Sequence, residues 1–334
     1  MSERLKIDRV RFAEVKASEA TTWTFVEVYD GEGTVATAEI TCGGNTAEAV
    51  RLTSELVGRL RGREIADEGD VEGMLGLAVS DMQANMALAT AVSGLRTAVS
   101  DLRAQRRGIT LTEELGGTPQ ESVLLYANIN RHLLTRDRSP ASFGRAAELA
   151  VSRGFGIVKC APFDGVGPPS TRGEILDVAR VGIERVAAVR AAVGDDVTVL
   201  VDCHSRFERH TAPLVAEQLA KSNIGWFEEP VEPTKDAEGL AAIAREVSMI
   251  TAGGESGYGR EFLQGNCGMR RAECGYAGCE VLRRAGGGKG CGNRGYGCGR
   301  RCVAAQSVGA GVADWGRACD GGDAGGDTSG ACGV

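Results

Sequence analysis

The feature that most constrains this chain is a regular alternation of strand-like and helix-like segments starting at Ser122. "SVLLYANIN" reads as a strand, and "PASFGRAAELAVSRG" as a helix closed by glycine. "GIVKCAPF", "VTVLVDC", "IGWFEEP" and "MITAGGES" read as four further strands. Between them lie the helical stretches "GEILDVARVGIERVAAVRAAVG", "TAPLVAEQLAKSN" and "DAEGLAAIAREVS". Strands separated by helices at this spacing imply a parallel sheet. A doubly wound sheet and a (β/α)8 barrel both satisfy the pattern. No glycine-rich phosphate loop follows the first strand, which counts against a dinucleotide site.

The preceding text has a different rhythm. "RLKIDRVRFAEV" and "TTWTFVEVYDGEGTVATAEI" alternate apolar and polar residues, and "YDGEG" is a turn. "TAEAVRLTSELVGRLRG" and the alanine-rich "NMALATAVSGLRTAVSDLRAQRRG" have helical periodicity. This predicts a small α+β domain over residues 1–118 and a (β/α) domain over 119–285. A Gly/Cys-rich tail occupies 286–334.

Formal net charge is −7, which gives no electrostatic case for nucleic acid or an anionic membrane as partner. The start "MSERLKIDRVRF" lacks the apolar core of a signal peptide, and no apolar run is long enough for a bilayer. A cytoplasmic location and a homo-oligomer are the expectations. Of the 11 cysteines, only Cys42, Cys160 and Cys203 precede residue 264. The other eight crowd into the last 70 residues without a Cys-x2-Cys pair, so a zinc site is a weak reading.

Three successive strands end in acids: Asp202 after "VLV", Glu228 after "GWF" and Glu255 after "TAGG". In a barrel the C-terminal ends of strands share one rim, where active sites form. Carboxylates gathered there repel unless a cation joins them, and hard oxygen donors suit Mg²⁺. Any one of these acids alone reads as an ordinary loop residue. Lys159 ends the preceding strand and is a candidate acid or base beside such a cation. In "VTVLVDCHSRF", alternation points Asp202 and His204 the same way. Asn128 and Arg131, in "YANINRH", are candidate substrate-binding residues or plain loop residues.

These motifs resemble the enolase superfamily, in its mandelate racemase/muconate lactonizing branch. The resemblance runs from residue 4 to about 263. It implies an α/β fold class: an N-terminal α+β capping domain joined to a modified TIM barrel, here with aberrant C-terminal strands. The helix "ALATAVSGLRTAVSDLRA" followed by "ELGG" looks like the end of the capping domain. The family's Mg²⁺ carboxylates would fall on Asp202, Glu228 and Glu255, with Glu229 behind them or facing substrate. The implied chemistry is abstraction of a proton next to a carboxylate, with Mg²⁺ holding the enediolate. Racemases and lactonizing members carry Lys-x-Lys on the second strand; here the pair is Lys159 and Ala161. The Asp-x-His pattern at His204 is similar to members that dehydrate sugar acids, where this histidine protonates the leaving hydroxyl. The reading is therefore a sugar-acid dehydratase with Lys159 and His204 as acid/base residues. The alternatives are a racemase or cycloisomerase, or a catalytically dead member that binds metal or sugar acid.

The tail departs from the family. Its seventh strand often carries Ser-Pro-His-Asn-Pro-Ser-Gly-Pro, but residues 303–311 read "VAAQSVGAG". One synonymous codon set for that stretch yields the family octet when read one nucleotide later. GC-rich alanine codons also become Gly, Arg or Cys codons in that frame, which matches the tail's composition. The tail is therefore expected to be a frame-shifted reading of an ordinary family C-terminus. As a literal polypeptide it should not form regular closing strands.

Overall fold

The computed structural model describes residues 4–17, 21–119, 121–133, 137–167 and 173–259, together with Phe262 and two short strands further on. Its N-terminal unit opens with an antiparallel sheet: β1 (Ile7–Lys16), β2 (Thr22–Asp30) and β3 (Val35–Glu39), with β2 central. Alternation buries Val26, Val28, Ala36 and Ala38 on one face. Helices α1 (Thr46–Leu60), α2 (Asp70–Leu75), α3 (Val79–Ala84) and α4 (Met86–Arg107) follow, and Leu56, Leu60, Leu95 and Leu102 join the sheet residues in one core. Asn85 caps α4 by accepting the Leu88 N–H at 3.1 Å, and Gly108, at φ 66°, ends it. Gly94 permits close approach of α4 to the sheet, since a Cβ there would lie 2.6 Å from Ile40 Cγ2. The short α5 (Leu111–Glu114) closes the unit with a Thr110–Glu113 capping box.

A buried ion pair ties the last turn of α4 to the β2–β3 turn. Asp30 Oδ2 accepts from Arg106 at 2.8 Å, while Oδ1 accepts the Glu32 and Thr34 N–H groups. Burial alone would raise the Asp30 carboxyl, but these donors more than offset it and hold it below the ordinary 3.8. A depressed folded-state value adds stability that is present above the unfolded value and lost as pH falls through the folded one. Asp30→Asn should therefore cost about 1.5–3 kcal/mol at neutral pH, the range for hydrogen bonds to a charged group. The gap to wild type should close as pH drops below the ordinary aspartate value. Urea unfolding at a series of pH values reads both effects, and a pH-independent gap would contradict the pairing.

The second sheet is parallel, with β4 (Ala127–Asn128), β5 (Ile157–Cys160), β6 (Thr198–Asp202), β7 (Trp226–Glu228) and β8 (Ile250–Ala252) in strictly sequential order. A doubly wound sheet reverses its strand order partway, whereas a (β/α) barrel does not. The order therefore decides between the two architectures in favour of the barrel type. The short α6 (Asn130–Leu133) follows β4, and α7 (Pro140–Ser152), α8 (Ile175–Val193), α9 (Ala212–Ala220) and α10 (Ala237–Glu246) connect the strands. Phe143, Val158, Val199, Val201, Phe227 and Ile243 fill the layer between sheet and helices. Alternate positions form a second cluster on the opposite face, where Leu200, Trp226 and Ala252 meet Tyr126, Ile157 and Ile250. Alternation along each strand thus separates an outer apolar layer from an inner face whose upper end is polar.

The first barrel strand is shorter than the sequence predicts. Val123, Leu124 and Leu125 stand 50, 77 and 50% exposed, and the ladder begins only at Ala127, opposite Val158. β4 is paired only to β5, so residues before Ala127 lack a ladder to fix them among the described residues. Beyond Phe262, β9 (Cys279–Val281) and β10 (Cys302–Ala304) form a separate antiparallel pair. β10 falls within the expected frame-shifted segment 286–334; the rest of that segment lies outside the described residues. No helix among the described residues is long and apolar enough to cross a membrane.

Candidate active site at the C-terminal rim of the parallel sheet

Register explains which acids meet. Asp202 lies opposite Glu228 across β6 and β7, and both are buried at the ends of their strands. Lys159, two residues along from Ile157, shares their face; its side chain is 4% exposed. The Lys159 ammonium donates to Glu228 Oε1 at 2.5 Å and stands 3.3 Å from Asp202 Oδ2. Glu228 is held from below as well: Trp226 Nε1 donates to its Oε2 at 3.0 Å. Tyr126 and Trp226, edge to face with centroids 6.1 Å apart, lie 5.6 and 5.9 Å from the ammonium. Two carboxylates and two aromatic faces thus enclose one buried cation.

His204 sits at the mouth of this cluster. Its Nε2 is 3.3 Å from Asp202 Oδ2, its backbone N–H donates to Asp202 Oδ1 at 3.0 Å, and its side chain is half exposed. The hydrogen bond to Asp202 raises the imidazole above 6.5, offsetting burial, with the charges of Asp202 and Glu255 adding to it. The imidazole is therefore held toward its protonated, proton-donating form. His204, Ser205 and Glu229 all have positive φ, at 47, 57 and 38°. Such backbone is strained for side-chain-bearing residues and concentrates at functional sites. Ladder-like bonds over-determine it here: Cys203 N–H donates to Glu228 O, Ser205 N–H to Glu229 O, and Glu229 N–H to Ala252 O.

Glu229 turns away from this cluster and braces the next loop. Its Oε1 accepts the N–H groups of Gly254 at 2.9 Å and Glu255 at 3.2 Å. Burial, and then the charge of Glu255, push its carboxyl up to about 8. Glu255 itself is partly buried. β8 ends at Ala252, level with Glu228, so Glu255 falls three residues further on. Among the described residues no three His, Cys, Asp or Glu side chains form a group that could hold a metal ion. Asp202 and Glu228 are gathered around Lys159 instead. The donor chemistry nonetheless suits a hard divalent cation, with two buried carboxylates on adjacent strands and the charge of Glu255 felt at His204 and Glu229.

The remaining candidates come out unevenly. Asn128 is exposed, and its Oδ1 accepts the Asn130 N–H at 3.1 Å. Asn130, which the sequence reading passed over, is the buried member: its Oδ1 accepts the Ala161 N–H at 2.6 Å, joining the loops after β4 and β5. The backbone of Arg131 lies in α6, and its side chain is outside the described residues. Trp226 and Tyr126 were also missed. Each stands two residues before a named site residue, which places it on that face but leaves it reading as core. Cys160 and Cys203 are buried, and burial pushes the Cys160 thiol up to about 12, so neither is a nucleophile.

Residues 142–265 match the family described as enolase C-terminal domain-like. The matched segment runs from α7 past the end of β8, so the likeness lies in the parallel-sheet unit. A D-gluconate dehydratase of Thermoproteus tenax is 35% identical over 167 residues, which cover 50% of this chain and 32% of that protein. A D-galactarolactone cycloisomerase of Agrobacterium fabrum (strain C58 / ATCC 33970) is 28% identical over 235 residues, 70% of this chain and 58% of that protein. The matched segments thus span about a third to three fifths of these relatives. The crystal structure of a mandelate racemase/muconate lactonizing enzyme from Jannaschia sp. CCS1 superposes with a TM-score of 0.63 at 23% identity. It covers 78% of this chain and 69% of its own, a likeness of fold.

Proposed function

We propose that the chain's active form removes the proton next to a substrate carboxylate and expels a β-hydroxyl as water, dehydrating a sugar acid to a 2-keto-3-deoxy acid. The reaction passes through an enediolate. The observation that carries this is the rim cluster, in which Lys159, Asp202, Glu228 and His204 converge at strand ends. The dehydratase relative supports the same reading. Asp202, Glu228 and Glu255 are assigned to Mg²⁺, which when bound would neutralise the charge that develops on the substrate carboxylate. His204, whose proton-bearing form is favoured by its hydrogen bond to Asp202, gives its proton to the departing hydroxyl. Lys159 serves acid/base chemistry from the neighbouring strand. Asn128 and Arg131 are assigned to the substrate's hydroxyl and carboxylate groups, and Glu229 stands behind the rim, bracing the loop that carries Glu255.

The test is a panel of aldonic and aldaric acids incubated with the chain and Mg²⁺, read as formation of the keto acid. Turnover of at least one acid, abolished by EDTA and restored by Mg²⁺, is the expected result. Mn²⁺ binding without turnover across the panel would instead indicate a binding protein. Isomerisation is a second reading, favoured by the cycloisomerase relative. It predicts lactone opening without loss of water, and Ala161 at the position of the usual second lysine weighs against it.

A further inference from the structure

The loop after β8, Gly253 to Gly259, is gripped from two sides. On the barrel side Glu229 holds the N–H groups of Gly254 and Glu255. On the other side Tyr258, 4% exposed, packs into the apolar core of the N-terminal unit. The Tyr258 hydroxyl donates to Glu72 Oε1 at 2.9 Å, and Gln83 Nε2 donates to the Tyr258 carbonyl oxygen at 3.4 Å. Glu72 is itself fixed by Arg96 at 2.5 Å, and Arg96 also pairs with Glu68. The loop between the grips has little slack. Gly257 N–H donates to Gly254 O at 3.0 Å, and a Cβ on Gly257 would lie 1.7 Å from the Phe262 ring.

Glu255 lies between the two grips, three residues before Tyr258. We propose that Tyr258 is a positioning residue: by tying this loop to Glu72, it sets where the Glu255 carboxylate stands. Cation affinity at the rim then depends on a residue of the N-terminal unit. The inference rests on the assignment of Glu255 as a cation ligand made above. Phenylalanine would fill the apolar site as well, so a buried hydroxyl aimed at a fixed carboxylate points to orientation and not merely to packing. Groups that orient a ligand typically change metal affinity by about 10–100-fold when removed.

The experiment uses the full chain, with Mn²⁺ binding followed by electron paramagnetic resonance and amide hydrogen exchange followed across residues 253–259. Tyr258→Phe should weaken Mn²⁺ binding about tenfold and speed exchange at Gly254 to Gly257. Glu72→Gln should do the same, and the double variant should be no weaker than the worse single one. A purely structural role would lower the unfolding midpoint and leave the affinity of the folded protein alone. Wild-type Mn²⁺ affinity in Tyr258→Phe, alongside weakened binding in Glu255→Gln, overturns the inference. Wild-type affinity in Glu255→Gln overturns the ligand assignment first, and the proposed effect on cation binding goes with it. Unchanged exchange in Tyr258→Phe overturns the tether in either case.

Discussion

Lys159→Met should lower the unfolding free energy by about 3–5 kcal/mol at neutral pH, the cost of leaving buried charge uncompensated. The substitution keeps the length and apolar stem of the side chain, so lost packing is a minor part. What it removes is the cation shared by Asp202 and Glu228, both essentially inaccessible to water. Trp226 supplies one neutral hydrogen bond to Glu228. His204 gives Asp202 its backbone N–H and stands 3.3 Å from it through Nε2, so the imidazole compensates only part of the Asp202 charge. In the variant the buried pair should take up a proton, so a carboxyl there titrates above its unfolded value. A raised folded-state value contributes stability that is present at low pH and lost as pH rises. The deficit against wild type should therefore be largest at neutral pH and shrink toward the ordinary carboxylate range. Denaturant unfolding of both proteins between acidic and neutral pH reads this, and added Mg²⁺ should recover part of the loss if the two carboxylates can hold it. A deficit under about 1 kcal/mol, typical of an exposed pair, would mean that the enclosed ion cluster does not exist in solution.

The parts of this cluster that the sequence reveals are the ones governed by strand periodicity. Asp202 and Glu228 each close an apolar run, and the parallel register of β6 and β7 brings those ends level. Strand–helix alternation likewise carries the parallel sheet, but the choice of the barrel over a doubly wound order came from the observed strand sequence. Periodicity is less reliable past the last ladder residue. Asp202 and His204 do meet, but β6 ends at Asp202 and the chain turns through positive φ to bring the imidazole back. Alternation therefore predicted the right contact by a route the backbone does not take. Glu255 shows the same limit, because two glycines separate it from the level of Glu228. Tyr126 and Trp226 were legible only as core, since an aromatic on a strand carries no mark of facing a lysine. Tyr258 was not legible at all: its partner Glu72 lies 186 residues away, and nothing local announces a contact between segments so far apart in the chain.

His204→Asn should reduce dehydration by about a hundredfold or more, the usual worth of a positioned general acid. Asparagine keeps a polar group of similar reach near Asp202 but cannot give up a proton to a leaving hydroxyl. The site around it should persist, because Lys159 holds Asp202 and Glu228 together independently of the imidazole. Abstraction of the α proton and expulsion of the β-hydroxyl are separable steps carried by different groups. Solvent deuterium should therefore still enter the substrate's α position in the variant, seen by proton NMR, while keto acid fails to accumulate. In the wild type the acid must be protonated, and Asp202 raises His204 above 6.5. Dehydration should then fall on a basic limb displaced upward from the ordinary imidazole value, whereas deuterium exchange should not follow the same limb. Undiminished keto acid formation by His204→Asn would remove this histidine from the reaction. Loss of both exchange and dehydration would instead make His204 the base, and Lys159 would then be left with the task of binding the carboxylate.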